Sequence, residues 1–172
     1  MEDYLYIHNA GLVILSPFLP RYFSQLDMLE DEQFRSLENA RRAVLLLQYL
    51  CSGRTETPEH MLVFNKVLCG LSVDDPVPSW IELTDSEKEV SHLLLNSVLQ
   101  NWEQMKNSSV DNLRGAFILR DGRLKEKENS RTLDVEPKPF DLILDYLPWT
   151  LSIISFPWMT NKIDVVWRTK TQ

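Results

Sequence analysis

The stretch Ala40 to Leu50, ARRAVLLLQYL, constrains the fold more than any other part of the chain. It can be a helix buried on several sides or a short buried strand. From Leu37 the apolar positions Ala40, Val44 and Leu47 recur at the three- and four-residue steps of a helix face, which favours helix. Leu46, Tyr49 and Leu50 widen that face beyond one stripe, so more than one neighbour has to cover it and it belongs near the middle of a domain. The stretch carries no nucleophile, metal-ligand cluster or phosphate-binding loop, and so reads as scaffold before catalyst.

Around it, Gly11 to Leu15 is continuously apolar and reads as a buried extended segment, with a helix start as the second reading. Pro17 and Pro20 confine the next segment, where Tyr22, Phe23, Leu26 and Leu29 fit a short amphipathic helix. Glu30, Asp31 and Glu32 mark solvent. Gly53 suits the left-handed residue after the last turn of the central helix. Thr57 and Pro58 fit the N-cap and first position of a second helix carrying Met61, Phe64 and Leu68 and ending before Gly70. The two helices form a hairpin. The residues between Leu71 and Glu82, with Asp74, Asp75, Pro76 and Pro78, read as a connection with little regular structure.

Thr84 with Glu87 is a capping-box pattern. It opens a helix with Val90, Leu94, Val98, Trp102 and Met105 on one face, widened by Leu93. Asn107 to Ser109 breaks it, and Ser108 with Asp111 can cap another helix carrying Leu113, Ala116 and Phe117 inward. From Arg123 strands take over. Arg123 to Lys127 and Arg131 to Glu136 flank the turn Glu128-Asn129-Ser130, with Leu133 and Val135 alternating against Asp134 and Glu136. Phe140, Ile143, Leu144 and Leu147 fit a short helix. Leu151 to Phe156 and Ile163 to Arg168 form a second hairpin, and Thr169 to Gln172 a frayed tail. The fold class expected is α+β, a mainly helical N-terminal two-thirds packed with a small antiparallel sheet of C-terminal hairpins. One domain over residues 1–172 is the reading, with a subdivision into a helical part, 1–75, and a helix-plus-hairpin part, 83–168, as the alternative.

Composition limits the chemistry. The net charge of −7 comes from 18 basic and 25 acidic residues. Residues 1–86 carry 6 Lys/Arg against 13 Asp/Glu, and residues 87–172 carry 12 against 12. This balance steers the chain away from nucleic acid and anionic membranes, and no apolar run approaches a bilayer span, so neither nucleic-acid binding nor membrane insertion is expected. Cys51 and Cys69 match no redox or zinc spacing and read as buried thiols. His8, His60 and His92 have no familiar metal spacing, so no metal or cofactor is expected. Asp141 and Asp145 would share a helix face and allow an acid–base or divalent-ion site. The favoured reading is a solvated face opposite Phe140, Ile143 and Leu144. The aromatics thicken towards the C-terminus. The favoured reading of this set is core packing, and Trp149 and Trp158, each following a proline, are the partner-contact candidates for a member left exposed.

The order of several blocks resembles one known family. They run from Gly11 to Pro20, GLVILSPFLP, through Arg42 to Leu50, then Pro58 to Gly70 and Leu83-Thr84-Asp85. Trp102 to Arg123 comes next with NSSVDNLRGAFILRDGR, then Pro139-Phe140-Asp141, Leu147-Pro148-Trp149 and Phe156-Pro157-Trp158-Met159. Spanning residues 9–167, these are similar to the contractile injection system tape measure proteins of phage-tail-like particles. The likeness is to a terminal domain of that family without the long ruler region. It implies no catalytic residues. It implies a non-catalytic assembly domain that docks to tube, baseplate or other injection-system proteins, in the cytoplasm during assembly and then within a particle. The alternatives are a protein-binding module unrelated to injection systems and a small hydrolase with a carboxylate site near Asp141 and Asp145.

Overall fold

The computed structural model describes residues 3–167. The chain opens with strand β1 (Tyr4–Ile7) and passes into a 3-10 segment, Ala10–Phe18, then helix α1 (Leu19–Gln25). A small hairpin, β2 (Leu29–Glu30) and β3 (Gln33–Phe34), precedes α2 (Leu37–Ser52). The central helix is therefore as the apolar spacing predicts. Ser36 caps it by accepting the Asn39 N–H, and Gly53 closes it at φ 71°, ψ 10°. Every residue from Ala43 to Cys51 is buried, because other elements pack on several sides of it.

Helix α3 (Val63–Leu68) comes after a 3-10 turn, Glu59–Met61. Thr57 does not cap it. The Thr57 N–H donates to Ser79 O at 2.8 Å, and the chain there belongs to the isolated bridge between Glu56 and Trp80. Helix α4 (Asp85–Asn101) has the full capping box of Thr84 and Glu87. Its buried residues include Ser91, Leu94, Leu95, Val98 and Leu99, a face that leaves Leu93 58% exposed on the other side. Trp102 and Met105 are buried, but beyond the helix end, Trp102 in extended backbone and Met105 in a 3-10 turn.

Helix α5 (Val110–Leu113) is capped by Ser109, one residue later than the sequence suggests, and runs into a π-helical turn, Arg114–Ile118. There the Leu119 N–H reaches back to Arg114 O at 2.8 Å. Next come β4 (Gly122–Lys127), β5 (Ser130–Val135), a 3-10 helix Pro139–Tyr146, β6 (Ile153–Ile154) and β7 (Ile163–Val166). Arg168 and the tail from Thr169 to Gln172 lie outside the described residues.

The five-stranded sheet has the order β1-β4-β5-β7-β6. It is α+β in class but differs from the expected hairpins in two ways. The N-terminal β1 pairs antiparallel with β4, Leu5 opposite Leu124, so the sheet is not purely C-terminal and the helices are not confined to the first two-thirds. In addition β7 runs parallel to β5, Leu133 opposite Val165, so the sheet is mixed rather than antiparallel. The connection after β5 passes through the Pro139–Tyr146 helix. That lets β7 return beside β5 in the same direction and leaves β6 outside it. A strand as short as β1, with polar residues around it, gives little periodic signal. Leu124, Leu133, Ile154 and Ile163 are buried in a core shared with α2, α3 and α4.

The Gly11–Leu15 stretch is fully buried, but as 3-10 turns rather than as an extended strand. Helical turns satisfy most of their own backbone donors, which a buried segment lacking a strand partner must do. Gly11 lies so close to the Phe117 carbonyl that a Cβ there would overlap it. No helix among the described residues is long and apolar enough to cross a membrane.

Candidate functional site

Trp158 sits in the loop between β6 and β7 and is 9% exposed. Its indole N–H donates to Leu68 O at 2.8 Å, and its ring stacks on Phe156 at 4.8 Å and meets Phe23 and Phe34. Gly70, at φ 74°, leaves room for the Trp158 carbonyl. Trp149 is half-buried, edge-on to Phe18 at 5.1 Å, and donates its indole N–H to Ile14 O at 3.0 Å. Both indoles thus bind backbone carbonyls of the N-terminal half, so each ties the last third of the chain to the helical body.

Asp141 does not lie on a solvated face. It is 1% exposed and forms a two-pronged ion pair with Arg120, itself 2% exposed: Nη1 to Oδ2 at 2.7 Å and Nη2 to Oδ1 at 2.8 Å. The Lys138 N–H and the Trp167 indole N–H also donate to Oδ2. Burial alone would raise the Asp141 carboxyl. The hydrogen bonds from Arg120, Lys138 and Trp167, with the Arg120 charge, overcome that and hold it below the usual carboxylate range. Arg120 further donates to Glu136 O and Ala116 O, and its guanidinium lies over the Phe117, Phe140 and Trp167 rings. In a 3-10 helix residues four apart stand about 120° apart, so Asp145, half-buried, does not share the face of Asp141. A carboxylate with both oxygens engaged is a structural clasp, not an available acid or base.

The remaining ionisable candidates are dispersed. Cys51 and Cys69 are free and buried, and burial pushes both thiols up. His92 Nε2 lies 3.3 Å from the Tyr49 hydroxyl. His8 has a buried Nε2 without a hydrogen-bond partner. Burial pushes its imidazole below the usual value against the pull of Asp121, and the His60 charge adds to the lowering. Among the described residues no three His, Cys, Asp or Glu side chains converge as metal ligands. Asn9, Gln48 and Asn65 instead form a buried amide cluster. The Asn9 amide donates to Asn65 Oδ1 at 2.7 Å and to Gln48 Oε1, while Asn65 donates to Val44 O. It joins the end of β1 to α2 and α3.

A concave surface lies elsewhere, an open groove of about 770 Å³ between the first turns of α2 and the 76–82 segment. Glu38, Asn39, Arg41, Arg42 and Leu45 form one wall, and Pro78, Trp80, Ile81 and Glu82 the other. Trp80 is 59% exposed, yet its backbone is fixed. Bonds from the Thr57 N–H to Ser79 O and from the Ile81 N–H to Thr55 O bracket it, at 2.8 and 2.9 Å. Further back, Lys66 Nζ donates to Val73 O, and Glu59 Oε1 accepts from both Lys66 Nζ and the Val77 N–H. The segment is irregular but pinned at several points.

The two arginines of the groove differ. Arg42 donates to both oxygens of Glu87 at 2.6 Å and to Glu82 O at 2.9 Å. Its own hydrogen bond to Glu87 holds the guanidinium above its usual value. Arg41 has one weak partner among the described residues, Asp75 at 3.8 Å, and its Nε is buried with no acceptor. Neither Trp80 nor Arg41 stands out in the sequence, where Trp80 is one aromatic in a proline-rich connection.

Compared with known proteins, the chain matches the family model described as contractile injection system tape measure protein over residues 1–167. No curated protein and no solved structure matches it.

Proposed function

Because the chain belongs to the contractile injection system tape measure protein family, we propose that it acts as a non-catalytic assembly domain, docking to tube or baseplate components. The observation that carries this reading is the family match over residues 1–167, which takes in the whole described chain. The geometry supports it through what the charged groups do. Arg120 with Asp141, Arg42 with Glu87 and Lys66 with Glu59 fasten elements together.

The domain itself is not built to measure length. Its longest helix, α4, has 17 residues and at about 1.5 Å per residue covers about 25 Å. In this proposal the chain acts as one unit, not as separate 1–75 and 83–168 parts, supported by the β1–β4 pairing and the common core. Trp149 contacts a partner through its uncovered edge. Trp158 contributes from beneath by supporting Phe34 and Phe23. The domain joins the particle during assembly in the cytoplasm.

Affinity capture of the tagged full chain from cells expressing the sheath, tube and baseplate genes tests this. Recovery of a tube or baseplate component is expected, together with defective tubes by electron microscopy when the gene is deleted. Failure to recover such components, with normal tubes in the deletion strain, would refute it.

A further inference from the structure

We propose that the groove beside Trp80 is a docking site for a partner-protein segment presenting an apolar side chain next to a single carboxylate. The apolar group lies against Trp80, Leu45, Pro78 and Ile81, and the carboxylate on the Arg41 guanidinium. The proposal rests on reading the chain as an assembly domain and specifies the chemistry of its partner.

Three observations lead there. First, Trp80 is a large exposed aromatic on a pinned backbone, so a partner meets it with little ordering cost. Tryptophan is among the residue types most often dominant at protein interfaces. Second, Arg41 is under-satisfied beside Arg42, whose fork is filled by Glu87 and Glu82 O. Its side chain is 31% exposed and its one ion-pair partner among the described residues stands 3.8 Å away, so the guanidinium keeps capacity for a carboxylate. Third, Glu38 and Glu82 stand on the two walls. They disfavour a uniformly acidic tail and any phosphate backbone, while a lone carboxylate flanked by apolar groups can reach Arg41 between them. The groove is open to solvent rather than enclosed, which suits a chain segment better than a small molecule needing full burial.

The test is nuclear magnetic resonance titration of the ¹⁵N-labelled full chain, read at the Trp80 indole N–H and the Arg41 Nε–H. The probes are the capped peptides Ac-Gly-Leu-Glu-Leu-Gly-NH₂, its Gln and Lys counterparts, and capped oligoglutamate. The Glu peptide is expected to shift both resonances and to bind about tenfold more tightly than the Gln peptide, the ratio expected of one charge-assisted contact. Trp80→Ala, read at the Arg41 Nε–H, should abolish the response, and Arg41→Gln, read at the Trp80 indole N–H, should weaken binding of the Glu peptide about tenfold, neither lowering the melting temperature, while Arg41→Lys should restore part of the loss.

Equal binding of the Glu and Gln peptides, preference for the Lys peptide or oligoglutamate, or no shift at either probe would each overturn the proposal. So would concentration-dependent self-association that Trp80→Ala removes, since the groove would then be an interface between copies. A failed titration with successful capture of tube or baseplate components removes the groove alone. Peptide binding without such capture removes the injection-system role and leaves the groove.

Discussion

Replacing Asp141 by asparagine tests whether the Arg120 clasp holds the C-terminal third in place. The change keeps the shape but removes the charge and points an amide towards a guanidinium that is 2% exposed. Arg120 then keeps Glu136 O and Ala116 O but loses both charged contacts, at 2.7 and 2.8 Å. Stranding one partner of a buried ion pair costs about 3–5 kcal/mol, a large share of the roughly 5–15 kcal/mol that stabilises a typical domain. For a chain of this size each kcal/mol lowers the melting temperature by about 2–4 °C, so the drop is roughly 6–20 °C. Urea unfolding followed by tryptophan fluorescence, with circular dichroism as the second probe, measures it. The double variant Arg120→Met/Asp141→Leu should regain at least half the loss, because no charge is then left buried. The folded Asp141 carboxyl is held low, so its contribution is full above the unfolded value of about 3.9 and fades as pH falls through the lower folded value. Parent and Asp141→Asn should therefore differ less at low pH than at neutrality. A cost below about 1 kcal/mol, or a double variant no more stable than the single one, refutes this account.

His8 is depressed in the folded state, so the unfolded chain takes up its proton first and stability falls as pH drops below about 6.5 towards the folded value. His8→Asn should flatten the change in urea midpoint across that window, and an unaltered slope would count against the assignment. At the tip of the β2–β3 hairpin, Asp31 and Glu32 both hold positive φ, 51° and 65°, where a side chain is strained. Glu32→Gly creates the preferred Asp-Gly pair and should stabilise the fold by roughly 0.5–1 kcal/mol, seen as a higher melting temperature. Gly11→Ala drives a Cβ into the Phe117 carbonyl, which is backbone and cannot rotate away. Its cost should reach or exceed the top of the about 1–3 kcal/mol range for overpacking, and an unchanged urea midpoint would show that the segment yields.

How much of the fold is legible in the sequence depends on how local each signal is. Helix α2, the Gly53 cap, the Thr84–Glu87 box and the β4–β5 hairpin depend on residues a few positions apart, and all stand in the structure. The parallel β5–β7 pairing and the docking of β1 on β4 join distant segments, and a short strand carries no mark of its partner. The Gly11–Leu15 stretch misleads because a buried apolar run has no period to separate strand from helical turns. The hairpin at Glu30 to Gln33 is hidden because its turn lacks the Gly or Asn that normally announces one. The same limit governs the site. Aromatic density points to Trp149 and Trp158, whose indoles turn inward to Ile14 and Leu68. Nothing around Trp80 in the chain shows that Thr55, Thr57 and α2 come to flank it.

Helix α2 explains why the groove and the core belong together. Its later turns, through Leu46, Leu47, Leu50 and Cys51, are enclosed by the rest of the fold and fix the helix in place. Its first turns carry Glu38, Arg41 and Arg42 to the surface, so that fixed position is passed directly to the groove wall. The opposite wall is held through Arg42, which binds Glu87 at the start of α4 and the Glu82 carbonyl of the same segment. Arg42 thus sets the spacing between the walls, and Arg41 is the arginine on which the proposed carboxylate contact rests. A surface positioned in this way has little conformational freedom to lose, which is what the proposed docking of an apolar side chain and one carboxylate requires.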